Sequence, residues 1–457
     1  SEKDPFIIIT KKNTKILDNI IEHISKDGET NNNAPVLIID DESDLASIDT
    51  SKDRIEAEED PTAINKKIRQ LLNKLDRKAY VAYSATPYAN MLIPTVPSEN
   101  TNDFGPDLYP SDFLWTLPIP ENYLGPGKMF GITANEDGEI ESKQSFFPGI
   151  ITIDDTDEIY HGDNWVPIKR EEQVIWEPEY LPESLIESIK DFIISTSIKK
   201  LRGISGHNTM LIHAIQYKIP HEAIWQLVSN EIYKLEQSWV NNSSQEMWKN
   251  KYDEFCEIST ASYEYLYSND TFEKDLFSWS EVKKEVKSLL KILNRQKFKI
   301  GGNQSTTIPE NIRVINGDNK NYDLDYKKPN QDIIAIGGNV LSRGLVLKGL
   351  NVSYYLRSAK TQVADTVMQM GRWFGYRDDY ADLIRLYTTE DLENDLAKIA
   401  YINASMYHQV SIYQDKQLSP EEFSPYLKTY DFQITSVRKS RDSISFQNNI
   451  SNTLVQV

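Results

Sequence analysis

The stretch that most restricts how this chain can fold is APVLIIDDESD, residues 34–44. Its apolar residues run without the alternation of a half-solvated strand, so they suit an interior strand of a parallel sheet, covered on both faces. The acids that follow cannot enter a core unpaired, so the strand has to end there and present carboxylates at its C-terminal edge. Residues 61–76, PTAINKKIRQLLNKLD, carry Pro near the start and place Ile64, Ile68, Leu71, Leu72 and Leu75 at helical spacing. AYVAYSATPYANML (79–92) reads as a second buried strand that ends in a turn at Pro87. Strand, helix and strand in that order imply a parallel pair joined by a crossover. Upstream, FIII (6–9) reads as a short buried strand and residues 12–26 as an amphipathic helix.

The same grammar returns later. TMLIHAI (209–215), IRVING (312–317), DIIAIGGN (332–339), VSYYLR (352–357) and LIRLYTT (383–389) are strand-like, with a helix expected over 361–374. The fold class is therefore α/β with two parallel-sheet lobes. At 457 residues the chain is also too long for one core. The expected division is a first lobe at 1–95, a strand- and loop-rich insertion at 96–195, a second lobe at 196–390 and an extension at 391–457. A helical insertion of about 222–300 interrupts the second lobe.

Composition narrows the function classes. No apolar run approaches the roughly 20 residues a membrane helix needs, so no membrane partner is expected. Cys256 is the only cysteine, which excludes an intrachain disulfide and a zinc knuckle and suits a reducing cytoplasm. The formal net charge of -19 argues against a strong autonomous grip on DNA phosphates.

Three clusters carry chemistry. A strand that delivers acids to its end is the Walker B arrangement, in which one carboxylate holds magnesium through water and the next orients an attacking water. Asp41 takes the metal role, Glu42 the base role, and Asp44 completes the acidic pattern; the bland alternative is an acidic surface turn. SATP (84–87) follows a strand about 40 residues later, at a distance where the Ser84 and Thr86 hydroxyls could bond the acidic loop and sense nucleotide. Its alternative is a strand end with small residues and a proline turn. IAIGGNVLSRGLVLKGL (334–350) and QMGRWFGYR (369–377) supply Arg343 with Gly344, then Arg372 and Arg377. An always-charged, fork-shaped guanidinium suits a transferring phosphate; ordinary surface salt bridging is the alternative for each arginine.

Taken in order, IIDDESD, SATPYAN, the SRG loop and the GR helix resemble motifs II, III, V and VI of superfamily 2 helicases. More narrowly, IIDDESDLASI, SATPYANML, NTMLIHA, IGGNVLSRGLVLKGLNVSYYLR and MQMGRWFGYR resemble the Z-one domain family. Members of that family are described as endonucleases and occur in bacterial restriction-modification and phage-defence neighbourhoods. The resemblance implies RecA-like lobes, ATP and magnesium as cofactors, double-stranded DNA as partner of the full-length protein, and a defence-system protein as a further partner. It gives Asp41 and Glu42 the Walker B roles, Ser84 and Thr86 the coupling role, Arg343 the motif V role, and Arg372 or Arg377 the finger. The crevice would lie between the lobes, with the carboxylates and a guanidinium on opposite walls.

Two features depart from that pattern. No stretch reads G-x-x-x-x-G-K-[ST], and GGNQSTT (301–307) lacks the lysine. The phosphate-binding loop is therefore expected upstream of this chain, the first lobe is expected to be incomplete, and the chain alone is expected to hydrolyse ATP negligibly. The spacing of Gln369, Arg372 and Arg377 also differs from the usual helicase order, so either arginine can be the finger. A nuclease alternative rests on Glu141 and Lys143 of EIESK with Asp137 upstream. A second alternative is a non-enzymatic scaffold for a partner ATPase. His207, His213 and His221 cluster in sequence, and packing rather than metal binding is expected of them.

Overall fold

The parallel pair implied by the acidic stretch is present, with a more open surface than its apolar run suggests. In the computed structural model, helix α1 spans Thr14–Lys26, strand β1 Val36–Asp40, helix α2 Ala63–Asn73, strand β2 Lys78–Ala82 and the short helix α3 Tyr88–Met91. The structure describes residues 7–26, 34–51, 61–93, 104–134, 139–143, 145–156, 165–167, 169–239, 242–267, 277–301, 304–315, 328–338, 346–356, 364–377, 379–422, 426–428, 435, 439, 444–448 and 451–455. β1 and β2 pair in parallel from Val36↔Lys78 to Asp40↔Ala82, with α2 as the crossover. One face of the pair, Val36, Ile38 and Tyr80, packs with Leu17, Ile68, Leu71 and Leu75 of the α1–α2 layer. On the other face Leu37 and Ile39 are 60% and 62% exposed, so the expectation of burial on both faces fails for this pair. The expected strand at 6–9 is also absent over residues 7–9, where Ile7, Ile8 and Ile9 are exposed and unpaired in any sheet. Their apolar character gave a strand reading, but among the described residues they pair with no strand.

Further along come β3 (Tyr123–Leu124), α4 (Pro126–Met129), β4 (Ile132–Ala134), β5 (Ile140–Ser142), β6 (Ile150–Ile153), α5 (Arg170–Ile175), α6 (Glu183–Leu201), β7 (Asn208–His213), α7 (Lys218–Ser238), α8 (Asn242–Leu266) and α9 (Trp279–Leu293). Then follow the hairpin strands β8 (Gln296–Gly301) and β9 (Gln304–Pro309), β10 (Ile312–Ile315), β11 (Asp332–Gly337), β12 (Leu350–Tyr355), α10 (Ala364–Met370), β13 (Gly375–Tyr376), β14 (Arg385–Thr389) and α11 (Glu390–Lys416). β15 (Tyr426–Lys428), β16 (Ile444–Asn448) and β17 (Ser451–Val455) form a three-stranded antiparallel sheet.

The chain forms two units: residues 1–117, 361–369 and 405–457 in the first, and 118–360 and 370–404 in the second. The second is built on a six-stranded sheet in the order β10-β11-β7-β12-β14-β6, parallel throughout. Every residue of β7, β11 and β12 is buried, as parallel strands covered on both faces must be. α6 is buried around most of its circumference from Ser188 to Lys199, and its hydroxyls find partners within the helix, Ser197 Oγ to the Ile193 carbonyl at 2.8 Å, and beyond it, Ser195 Oγ to the Leu383 carbonyl at 3.2 Å.

Two stretches expected as insertions belong to this architecture. β6, from the 96–195 stretch, is the outer strand beside β14, starting at the pair Leu386↔Ile150. Ile224, Val228, Phe255, Val286 and Leu290 of α7–α9 share one apolar cluster with the sheet. Sequence alone sees those helices interrupt the strand series; their apolar stripes bind them to the sheet all the same. Gly349 turns the chain into β12 at φ 68°, and a Cβ there would fall 1.6 Å from the His207 carbonyl oxygen, so only glycine fits.

Candidate acidic-loop site

β1 delivers its acids to one loop of the first unit, and the loop sorts them by burial. Asp40, the last strand residue, is 6% exposed. Its Oδ2 accepts the Tyr80 hydroxyl at 2.5 Å, and its Oδ1 pairs with the Lys12 Nζ at 2.9 Å. Burial, then the neighbouring Asp40 charge, pushes the Tyr80 phenol far above its ordinary range, so it remains a donor. The Tyr83 N–H donates to the Asp40 carbonyl at 2.8 Å and the Ser43 N–H to the Tyr83 carbonyl at 3.0 Å, which ties the ends of the two strands together.

Between those ties lie Asp41 and Glu42, both exposed. Asp41 Oδ1 accepts the Glu42 N–H at 3.0 Å. Glu42 has φ 51°, a left-handed conformation that costs a non-glycine residue about 1–2 kcal/mol. Lys12 holds this turn: its Nζ donates to the Asp41 carbonyl at 2.8 Å and the Glu42 carbonyl at 2.7 Å, and lies 3.2 Å from Ser47 Oγ.

Asp44, by contrast, is 0% exposed. Its Oδ1 accepts the Ser84 hydroxyl at 2.9 Å, and its Oδ2 accepts Gln369 Nε2 at 3.3 Å and the Thr86 hydroxyl at 3.5 Å. Gln369 also bonds Thr86 Oγ1 at 2.9 Å, and the Ser84 hydroxyl receives the Thr86 N–H at 3.0 Å. The Lys439 ammonium stands 4.0 Å from Asp44 and 3.6 Å from the buried Asp365, which also accepts the Thr435 hydroxyl at 2.9 Å. Asn90 Nδ2 completes the layer by bonding Ser43 Oγ at 3.2 Å. Three sequence motifs thus meet on the Asp44 carboxylate, the acidic loop, SATP and the QMGR helix, and that carboxylate is taken up by protein donors. Sequence reasoning missed Lys12, Asp365, Thr435 and Lys439, since nothing in their local patterns marks them.

Magnesium held by such a loop would rest on Asp41, with the Glu42 carboxylate beside it. Among the described residues no group of three or more His, Cys, Asp or Glu is placed to cage a metal ion. Two exposed carboxylates at a strand end do suit magnesium, which keeps several waters and completes its shell with substrate phosphates. The GGNQSTT stretch runs from β8 into β9, two antiparallel strands, so no helix N-terminus follows it to receive a phosphate.

The arginine candidates lie in the second unit. Arg372 and Arg377 are half-buried, on either side of the buried Trp373, whose ring stands 5.0 Å from that of Tyr355. The Arg377 guanidinium lies 5.8 Å from the Tyr380 ring centroid, on the ring that also carries the Lys199 ammonium at 3.8 Å. Burial, with repulsion from Arg377, pushes the Lys199 amine down to about 7. Arg343 and Gly344 lie outside the described residues, as does Asp137 of the nuclease alternative. Glu141 and Lys143 are exposed, on and just beyond β5 of the β4–β5 hairpin. The three histidines have separate surroundings: His207 Nδ1 accepts the Gln331 N–H at 3.3 Å, His213 is buried edge-on to Tyr355, and His221 Nε2 bonds the Ile215 carbonyl at 2.8 Å. No described helix is long and apolar enough to cross a membrane.

Fold and site together define an α/β protein with a parallel six-stranded sheet and, in its other unit, a strand-end acidic loop. The Z1 domain model matches residues 184–433, more than half of the chain, and the chain belongs to that family. No curated protein and no solved structure matches it.

Proposed function

We propose that the chain is the helicase-like part of a DNA-dependent ATPase, a superfamily 2 motor with RecA-like lobes, serving a restriction or phage-defence system. The observation that carries this reading is the convergence on Asp44. In a motor, the loop that handles the metal and the attacking water has to report the state of the nucleotide to distant segments. Asp44, Ser84, Thr86 and Gln369 form such a link, three residues after the exposed Asp41 and two after Glu42. Bound magnesium would supply charge neutralisation at the transferring phosphate. Asp41 would hold the ion through its hydration waters, and Glu42 would accept a hydrogen bond from the attacking water and take its proton. The arginine role stays with Arg372 or Arg377 on the strength of the sequence resemblance. The test is magnesium-dependent ATP hydrolysis by the whole protein with duplex DNA present. Asp41→Asn should abolish hydrolysis at sub-millimolar magnesium and shift the magnesium requirement upward, and an unaltered magnesium titration would remove Asp41 from its role.

A further inference from the structure

Lys12 lies upstream of the acidic loop and yet meets it through its half-buried ammonium. Its Nζ has four oxygens within reach: the Asp41 carbonyl at 2.8 Å, the Glu42 carbonyl at 2.7 Å, Asp40 Oδ1 at 2.9 Å and Ser47 Oγ at 3.2 Å. Its three protons meet the two carbonyls and the Ser47 hydroxyl, and the Asp40 carboxylate balances its charge. Two of these oxygens are backbone carbonyls, which bind a lysine only if the peptide planes turn towards it. Turning the Glu42 carbonyl inward goes with the left-handed φ of 51° at that residue. The backbone of Glu42 is thereby fixed by Lys12 while its side chain stays exposed.

We infer that Lys12 is a positioning residue, the resident cation of the acidic loop, which sets the conformation of Asp41 and Glu42 before any divalent ion arrives. This rests on the reading of Asp41 and Glu42 as the metal and water carboxylates. A role by charge alone has the opposite consequence. A cation this close repels a divalent ion, so removing it would strengthen metal binding. A positioning role makes removal weaken metal binding, because the carboxylates lose their set geometry.

The experiment uses this chain with Lys12→Ala, Lys12→Arg and Asp41→Asn, and reads two quantities. Hydrogen exchange of the Ser43 and Leu45 amides is measured in EDTA, and manganese affinity is measured by electron paramagnetic resonance. The wild-type amides should be protected without metal. Lys12→Ala should speed their exchange by about tenfold or more while β2 amides remain unchanged, which also shows that the variant is folded. Propylammonium, which can refill the oxygen shell, should restore protection and raise the manganese affinity of Lys12→Ala. Lys12→Arg keeps the charge with a planar head and should recover protection only in part. Protection that appears only with magnesium, unchanged exchange in Lys12→Ala, or tighter manganese binding on loss of Lys12 would each overturn the inference. If Asp41→Asn binds manganese as the wild type does, the functional reading of the loop fails, whatever Lys12 does to exchange.

Discussion

Replacing Asp44 by Asn isolates what the buried carboxylate contributes, since shape is kept and charge and acceptor count change. The bond from Ser84 at 2.9 Å can survive, because the amide oxygen accepts it. On the other side an NH2 group replaces Oδ2 and faces Gln369 Nε2 at 3.3 Å, the Thr86 hydroxyl at 3.5 Å and the Lys439 ammonium at 4.0 Å. The Gln369 bond to a charged acceptor is long, so it counts at the low end, about 1.5 kcal/mol. The marginal Thr86 contact adds about 0.5 kcal/mol, and a donor facing the buried lysine adds about 1 kcal/mol. Together these make a loss of about 3 kcal/mol, roughly a 150-fold rise in the open population. Tryptophan fluorescence is a poor probe here, because Trp115 alone of the 8 tryptophans belongs to the first unit. Native-state hydrogen exchange of the β1 and β2 amides reports that unit directly. Asp41→Asn, at an exposed site, is the control and should shift the same amides by no more than about 0.5 kcal/mol. Equal effects of the two substitutions would refute the hub.

Other expectations concern the second unit. Arg385 is fully buried and donates to the carbonyls of Asp382, Ile384 and Phe255 and to Ser259; Arg385→Met should cost about 3 kcal/mol in urea unfolding, because these buried acceptors lose their donor, while Asp191 keeps Lys251 at 3.1 Å and Tyr387 at 2.6 Å. Lys199, whose pKa is lowered to about 7 from 10.5, binds a proton less readily folded than unfolded, so stability gains about 1.4 kcal/mol per pH unit between those values as pH rises. Lys199→Met should remove that slope, and parallel stability curves for the two proteins over the same range would contradict the assignment. Gly349→Ala should destabilise by at least about 2 kcal/mol, since the position combines a left-handed φ with contact against the His207 carbonyl; a thermal midpoint equal to wild type would show that the turn can relax.

Much of the fold was legible because the central strands of the large sheet, β7, β11 and β12, are apolar runs buried along their whole length. DIIAIGGN and VSYYLR became β11 and β12 within a residue or two of their expected places. The isolated FIII run misled, since apolar character cannot say whether a neighbouring strand is available. The β1–β2 pair was legible as a parallel unit but not as one with Leu37 and Ile39 exposed, because coverage of a face is a property of other segments. At the site, the acids and hydroxyls could be read from VLIIDDESD and SATP, since short-range spacing places them at adjacent strand ends. Their division of labour could not: Asp44 is buried and Asp41 exposed only because the turn at Glu42 rotates them apart. Lys12 and Lys439 were silent in sequence, because the carboxylates and carbonyls they meet lie 28 or more residues away along the chain.

On the proposed function, the exposed carboxylates of the acidic loop perform ATP chemistry. Steady-state ATP hydrolysis by the whole protein at saturating duplex DNA, wild type against Glu42→Gln, tests it most directly. Loss of a positioned base should lower kcat by about 10²- to 10⁴-fold while leaving KM for ATP within a factor of a few. A Glu42→Gln enzyme that turns over ATP at the wild-type kcat would contradict the account.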